Sequence, residues 1–466
     1  MKVKYIFLIS ILLFTIGSLL YFESIKNILR SHLPFHTIEH VQQIIQDRQI
    51  NFTKKDYAYS AMEDFFLPQR NPTFFKANKK DYIYNKGIDI EIFTTNFLTK
   101  IKNSKAKGGA YLAASDKNLI IAQENGLFFY LSLKDLNPNK DQLSLNNIPS
   151  NIFSLVKYFD FYGQGQYGVK GLYADEKHIY VSVSFMKKLN CFNTSILRAA
   201  HSESFLIFDI FFTPNACVEI DNDYGEYNAS DSGGRIASYT KNNILYSTGT
   251  FRYRDLAQDP KNELGKILSI DKNTAKAKII SMGHRNVMGL TYFEKTNEIW
   301  STEHGPNGGD EINLNDNLDS VTPTNFGWPV SSYGEHYSAS SLSPEGALIV
   351  DSDDKTYNKA PLHKSHSDFG FREPELYFVP SIGISAITTI KKNFFKNFDH
   401  SIIFGSKGNN YDAEGEKTIF LYDPNEQSKE KIFSGERIRD ILYLDSHSLI
   451  IFTGETNGIV GMISSN

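Results

Sequence analysis

Between Gly283 and Pro329 the chain sets side chains that bind anions and move protons on a backbone rich in turn residues. Gly283-His284-Arg285-Asn286, Glu303-His304-Gly305-Pro306 and Gly309-Asp310-Glu311-Ile312-Asn313 fall close together, and Asn325-Phe326-Gly327-Trp328-Pro329 follows. Glycine and proline beside charged groups fix the backbone, so the polar side chains are held at defined angles. Similar groups recur elsewhere as Gln164-Gly165-Gln166-Tyr167-Gly168, Ser230-Asp231-Ser232-Gly233-Gly234-Arg235-Ile236, Gly405-Ser406-Lys407-Gly408 and Glu436-Arg437-Ile438-Arg439-Asp440. In the last of these, period-two strand geometry puts Arg437 and Arg439 on one face. A single arginine is more often a solvated surface charge, and R-x-R can simply shield a strand edge. The weight lies in the set.

Residues this far apart must be brought together by a repeating scaffold, and the chain carries one. A polar turn followed by a short β-rich strand appears at Ala114–Ala122, Ala174–Ser182, Thr240–Thr248, Glu294–Thr302, Asn397–Gly405 and Asp445–Thr453. The first four copies lie roughly 55 to 65 residues apart, a blade-sized period. The longer interval before the fifth holds an insertion-like segment, Ser331 to Pro374. Six copies predict an all-β, six-bladed propeller over residues 86–466, against a β-sandwich with regularly spaced turns. Equivalent strands of a propeller end at equivalent places. Thr250, His304 and Lys407, just beyond such strands, are therefore expected to face a common space.

Composition agrees with strands: 26 Tyr and 35 Phe accompany few long amphipathic helical patterns. A formal net charge of -4 gives no electrostatic case for nucleic acid. Residues 1–22 open on Met1-Lys2-Val3-Lys4 and continue apolar to Phe22, long enough to cross a bilayer. No small-residue cleavage pattern follows, so the segment reads as a signal anchor, with a cleaved signal peptide as the other reading. Either places the body outside the cytoplasm: in the periplasm, tethered once to a bacterial inner membrane, or released there. Residues 23–85 read as a stalk or an extension packed on the propeller. Cys191 and Cys217 are the only cysteines; a disulfide and two buried thiols both stand.

The run from Gly283 to Pro329 resembles the signature of the glucose/sorbosone dehydrogenase family, six-bladed propellers that oxidise sugars with pyrroloquinoline quinone (PQQ). The resemblance implies that Gln166, Arg285, Asn286, His304, Lys407, Arg437 and Arg439 form a cradle for PQQ, with Arg285 polarising the quinone. Gly305 and Pro306 match residues whose carbonyls hold Ca2+ beside it. Glu311 matches a carboxylate serving a second, structural calcium in part of the family. The chain departs from the pattern at the general base, a histidine shortly before a Gly-Arg-Ile strand: here Asp231 stands in its place. The aspartate that orients that histidine is also gone, and Thr250 stands there. An unperturbed aspartate is a weaker base than histidine by about 2.5 pKa units, though burial can raise it. Two functions follow from the resemblance. One is a PQQ-dependent dehydrogenase of an aldose or related alcohol, with Asp231 as base and a membrane electron acceptor. The other is a non-catalytic propeller that binds a sugar, polymer or protein at the same mouth.

Overall fold

The structure, a computed structural model, describes residues 74–85, 88–94, 109–156, 168–223, 227–336, 360–392, 394–395, 401–408, 417–455 and 458–465. The expected anchor and Gln166 lie outside them. Among the described residues no helix is long and apolar enough to cross a membrane.

All six repeat copies become the second strand of a blade: Asn118–Gln123, His178–Lys188, Asn243–Thr248, Glu298–Glu303, Ile402–Ser406 and Leu449–Gly454. Each pairs antiparallel with an inner strand, in order Ala110–Ala114, Val169–Ala174, Gly233–Ser238, Val287–Phe293, Ile384–Thr389 and Ile438–Leu444. Each inner strand touches the next, and the last touches the first, so the ring closes. Neighbouring blades cover both faces of these strands. That is why Leu449-Ile450-Ile451-Phe452 is buried throughout instead of alternating. Every gap between blades holds its own apolar cluster, such as Tyr111 and Ile120 against Leu172 and Ile179 between blades one and two.

Closure joins the two ends of the propeller sequence. Ile88–Thr94 pairs with Ile459–Ser464 as the outer strand of blade six. Phe74–Asn85 then bridges that strand to Gln142–Ile148 of blade one. The last residues of the expected stalk or extension therefore belong to a sheet, continuous with the propeller. On blade two, Cys191 and Cys217 are bonded, their Cα atoms 5.5 Å apart. The link ties the tip of a long hairpin to the short strand Val218–Glu219 beside it, closing a loop worth roughly 3 kcal/mol in the chain-entropy model.

Candidate functional site

Two structural devices bring the charged residues to one mouth of the ring. The first is a bulge at the start of five inner strands. The register shifts between Val169 and Gly171, Gly233 and Ile236, Val287 and Gly289, Ile384 and Ile387, and Ile438 and Asp440. A bulge re-aims the side chain it carries, and those carried here include Lys170, Arg235 and Arg439. The second device is the position two residues beyond each repeat copy: Glu124, Ser184, Thr250, His304, Lys407 and Glu455. Antiparallel pairing puts both sets at the same end of every blade.

On the side of blades five, six and one they form a charged cluster. Arg439 Nη2 is 2.5 Å from Glu455 Oε1 and also pairs with Glu124. Arg437 Nη2 is 3.4 Å from Glu455 Oε2, and its Nη1 donates to the Lys407 carbonyl. Lys407 Nζ stands 3.8 Å from Glu455. Arg437 precedes the strand rather than lying in it, because the bulge follows at once, yet both arginines of the R-x-R converge on Glu455. Burial, and then Arg439, push the Lys407 ammonium down to about 7. Burial pushes Lys170, which senses Glu124, Arg439 and Asp231, down to about 8. Beside them Arg235 is spent on scaffolding: its Nη1 pairs with Asp440 at 2.6 Å and its Nη2 donates to the Arg439 carbonyl at 2.9 Å.

Across the mouth, Asp231 meets Arg285. The carboxylate oxygen Oδ2 accepts from Arg285 Nη2 at 2.9 Å and from Arg252 Nε at 3.2 Å. Arg285 Nη1 donates to the His304 carbonyl at 3.0 Å, and the guanidinium lies 5.5 Å from the ring centre of Trp328. Arg252 reaches Asp231 because Phe251 and Arg252 both take left-handed backbone, at φ 51° and 71°. Such conformations cost energy in a residue with a Cβ and cluster at functional sites. The turn is held there by the Phe251 N–H on the Asp231 carbonyl, 2.8 Å, and by the buried Phe251 ring stacked on Tyr227.

Beneath this pair lies a histidine and carboxylate layer that sets the backbone. His284 is fully buried between Glu303 Oε2 at 2.9 Å and Ser281 Oγ at 2.7 Å. Glu303 Oε1 accepts from the backbone N–H of both Arg285 and Asn286. Asn286 is a clamp: its Oδ1 accepts from Gly233 N at 3.1 Å and its Nδ2 donates to Ser230 O at 3.2 Å, which fixes the loop carrying Asp231. The amide expected in the cradle is thus engaged by backbone on both sides. His304 Nε2 lies 2.6 Å from the Ile384 carbonyl; burial, then Lys407 and Arg285, hold its pKa well below the usual imidazole range. The Thr250 hydroxyl is fully buried with no hydrogen-bond partner among the described residues, and Thr250 N donates to the Arg285 carbonyl at 3.3 Å. It belongs to the wall behind Arg285, whereas His304 and Lys407 do share the mouth.

The turn Gly305-Pro306 is fixed by Asp310, whose carboxylate accepts from Gly305 N at 3.2 Å and Ile384 N at 2.9 Å. A Cβ at residue 305 would come within 2.2 Å of the Gly309 carbonyl, so only glycine fits. Burial raises the Asp310 pKa. Glu311 is also buried, which raises it too, and faces His366 and Asn313.

A model of the family described as glucose/sorbosone dehydrogenase matches residues 160–461, well over half of the chain. The chain belongs to that family. Within the family it is 25% identical over 244 residues to the aldose sugar dehydrogenase YliI of Escherichia coli, covering 48% of this chain and 58% of that one. It spans about half the length of the curated relatives it matches. The apo soluble aldose sugar dehydrogenase of Escherichia coli superposes with a TM-score of 0.57 at 20% identity, covering 77% of this chain and 96% of its own. The PQQ-bound aldose sugar dehydrogenase of Streptomyces coelicolor does so at 0.50 and 16%, covering 78% and 97%. At such identities these likenesses carry the fold: six blades around a channel.

Lys170, Glu124, Glu455 and Arg252 were not among the expected site residues. Glu124 and Glu455 were within reach, since they occupy the same place after the repeat as His304 and Lys407. Lys170 and Arg252 depend on a bulge and a left-handed turn, which leave no mark in the residue types around them.

Proposed function

We propose that the protein is a PQQ-dependent dehydrogenase of an aldose or related alcohol. One observation carries this reading. Four cations, Lys170, Lys407, Arg437 and Arg439, gather at one mouth of the ring around Glu124 and Glu455. Buried like charges need a counter-ion. Burial depresses both lysines, and Arg439 Nε is buried with no hydrogen-bond partner among the described residues. A planar tricarboxylate such as PQQ suits such a cluster of cations.

In this reading Lys170, Lys407, Arg437 and Arg439 hold carboxylates. Gly305 and Pro306 present backbone oxygens on a turn fixed by Asp310, the hard ligands that suit Ca2+. When bound, PQQ supplies the acceptor for a hydride from the carbinol carbon. Asp231 takes the hydroxyl proton. Arg285 holds the Asp231 carboxylate in place and, with its cationic face toward the mouth, stabilises negative charge that develops on oxygen. Glu303 and Asn286 act one layer behind, keeping Arg285 and the Asp231 loop in register. The competing reading, a binding propeller without turnover, is favoured by the same pair: Asp231 Oδ2 already accepts from two guanidinium groups and is engaged in holding them.

The deciding experiment adds PQQ and Ca2+ to purified protein and records the absorption spectrum, then dye-linked oxidation of aldoses and alcohols. A quinone band with turnover is expected; no band defeats the cofactor reading, and a band without turnover defeats the enzyme reading. We also propose that the propeller works outside the cytoplasm, tethered at its N-terminus and passing electrons to a membrane acceptor. The Cys191–Cys217 bond supports an oxidising compartment. Thiol alkylation of protein from its native host should succeed only after reduction; labelling without reductant would remove this support.

A further inference from the structure

The insertion-like segment from Ser331 to Pro374 has a use that neither the cradle nor Asp231 explains. It carries His366, and several of its described residues converge on that side chain. The Glu373 carboxylate accepts from His366 N at 2.9 Å, Ser367 N at 2.8 Å and Tyr333 Oη at 2.8 Å. The Tyr333 ring lies 5.4 Å from the imidazole. So positioned, the ring is 1% exposed, and its two nitrogens reach two different partners. Nδ1 stands 2.9 Å from the Phe326 carbonyl and 3.0 Å from Ser331 Oγ. Nε2 stands 3.4 Å from Glu311 Oε1, within ion-pair range and without hydrogen-bond geometry. The carbonyl only accepts, so Nδ1 donates to it, and the other nitrogen is turned toward the carboxylate.

We infer that the His366 imidazole occupies the place between Glu311 and the Phe326 carbonyl that a structural calcium would need, so that this chain staples its fourth blade without a metal. The fit of an ion there is poor. Calcium asks for six to eight oxygens at about 2.3–2.6 Å. The space that Glu311, Phe326, Ser331 and His366 share with Arg285 and Glu303 is about 10 Å3, room for roughly one water-sized group and none for the waters that would complete a calcium's shell. Asn313 Nδ2 already donates to Glu311 Oε2 at 3.3 Å, and the Arg285 side of the same space is cationic. Among the described residues no three His, Cys, Asp or Glu side chains are grouped to hold a metal. Glu303 is the other carboxylate that Glu311 senses, and it is engaged by His284 and two backbone N–H groups. The expected calcium role of Glu311 is therefore replaced, because the insertion delivers a side chain into the coordination space. This inference is independent of whether Asp231 works as a base.

The test uses full-length protein without PQQ, melted and titrated by calorimetry in chelator and in millimolar Ca2+. Any change that Ca2+ makes to the wild-type melting temperature should be kept by Glu311→Gln. His366→Ala should melt lower in chelator, since the buried Glu311 loses its imidazole partner, and Ca2+ should recover several degrees by binding in the vacated space. Adding Glu311→Gln to His366→Ala should remove that recovery. The inference is overturned if wild type binds Ca2+ with a heat that Glu311→Gln abolishes, or if folded His366→Ala ignores calcium. Should His366→Ala fail to fold, the comparison of wild type with Glu311→Gln still decides. Calcium binding that survives Glu311→Gln lies elsewhere and agrees with the inference.

Discussion

Asp231→Asn is expected to lower dye-linked sugar oxidation by about 10²–10⁴-fold, the usual worth of a general base, while PQQ binding is retained. The amide keeps the shape of the side chain, and its oxygen can still accept from Arg285 Nη2 and Arg252 Nε, now 2.9 and 3.2 Å from the carboxylate. What it loses is the ability to take a proton. The structure sharpens the companion experiment. Asp231→His with Thr250→Asp restores the pair found in the family. Thr250 is fully buried and its hydroxyl has no hydrogen-bond partner among the described residues, so the position lacks a polar function that the new carboxylate would break. That carboxylate would also replace the negative charge taken from beside Arg285 and Arg252. The double variant should be at least as active as the starting protein. If the natural protein is inert on a broad panel of aldoses and alcohols while the double variant turns over, the binding propeller is the better description. If Asp231→Asn keeps full activity, Asp231 is not the base.

How much of this was open to the sequence depends on what kind of feature held each residue. The blades were legible because each second strand is a short β-rich run after a polar turn, and Leu449-Ile450-Ile451-Phe452 is the plainest of them. His304 and Lys407 were placed correctly by the same repeat, and extending it to Glu124 and Glu455 needs no new idea. Those two acids matter, since they take up charge from the cations expected to hold the cofactor. Asn286 and Arg235 show the limit. Their residue types suit recognition, but whether an amide faces a ligand or two backbone groups depends on a loop fifty residues away. Lys170 and Arg252 were beyond reach for a different reason: a bulge and two left-handed residues, Phe251 and Arg252, aim them. His366 lies in the insertion, where no periodicity predicts which blade a side chain will meet.

The second large effect concerns the cation cluster itself and separates a built anion site from a merely basic surface. Lys407→Ala and Arg437→Ala should each weaken PQQ binding by about 10–150-fold, the equivalent of a charge-assisted hydrogen bond of about 1.5–3 kcal/mol. Arg437→Ala acts twice, because Arg437 also donates to the Lys407 carbonyl. The pH dependence gives the more specific signature. Burial and Arg439 push Lys407 down to about 7, so in the free protein its ammonium is charged below that pH and progressively neutral above it. A bound carboxylate favours the charged form. Affinity should therefore be greatest below about pH 7 and fall by up to about tenfold per unit above it, as the proton must be supplied on binding. Lys407→Arg keeps its charge throughout and should flatten the profile, even if geometry costs it some affinity. Lys407→Ala should flatten it too, at the weaker level. A fall above neutral pH that persists unchanged in both variants would assign the titrating group elsewhere, with Lys170 the next to test, since burial leaves it at about 8. Binding that ignores Lys407, Arg437 and pH alike would mean that the cluster is held by the protein's own carboxylates, and that the mouth holds no tricarboxylate.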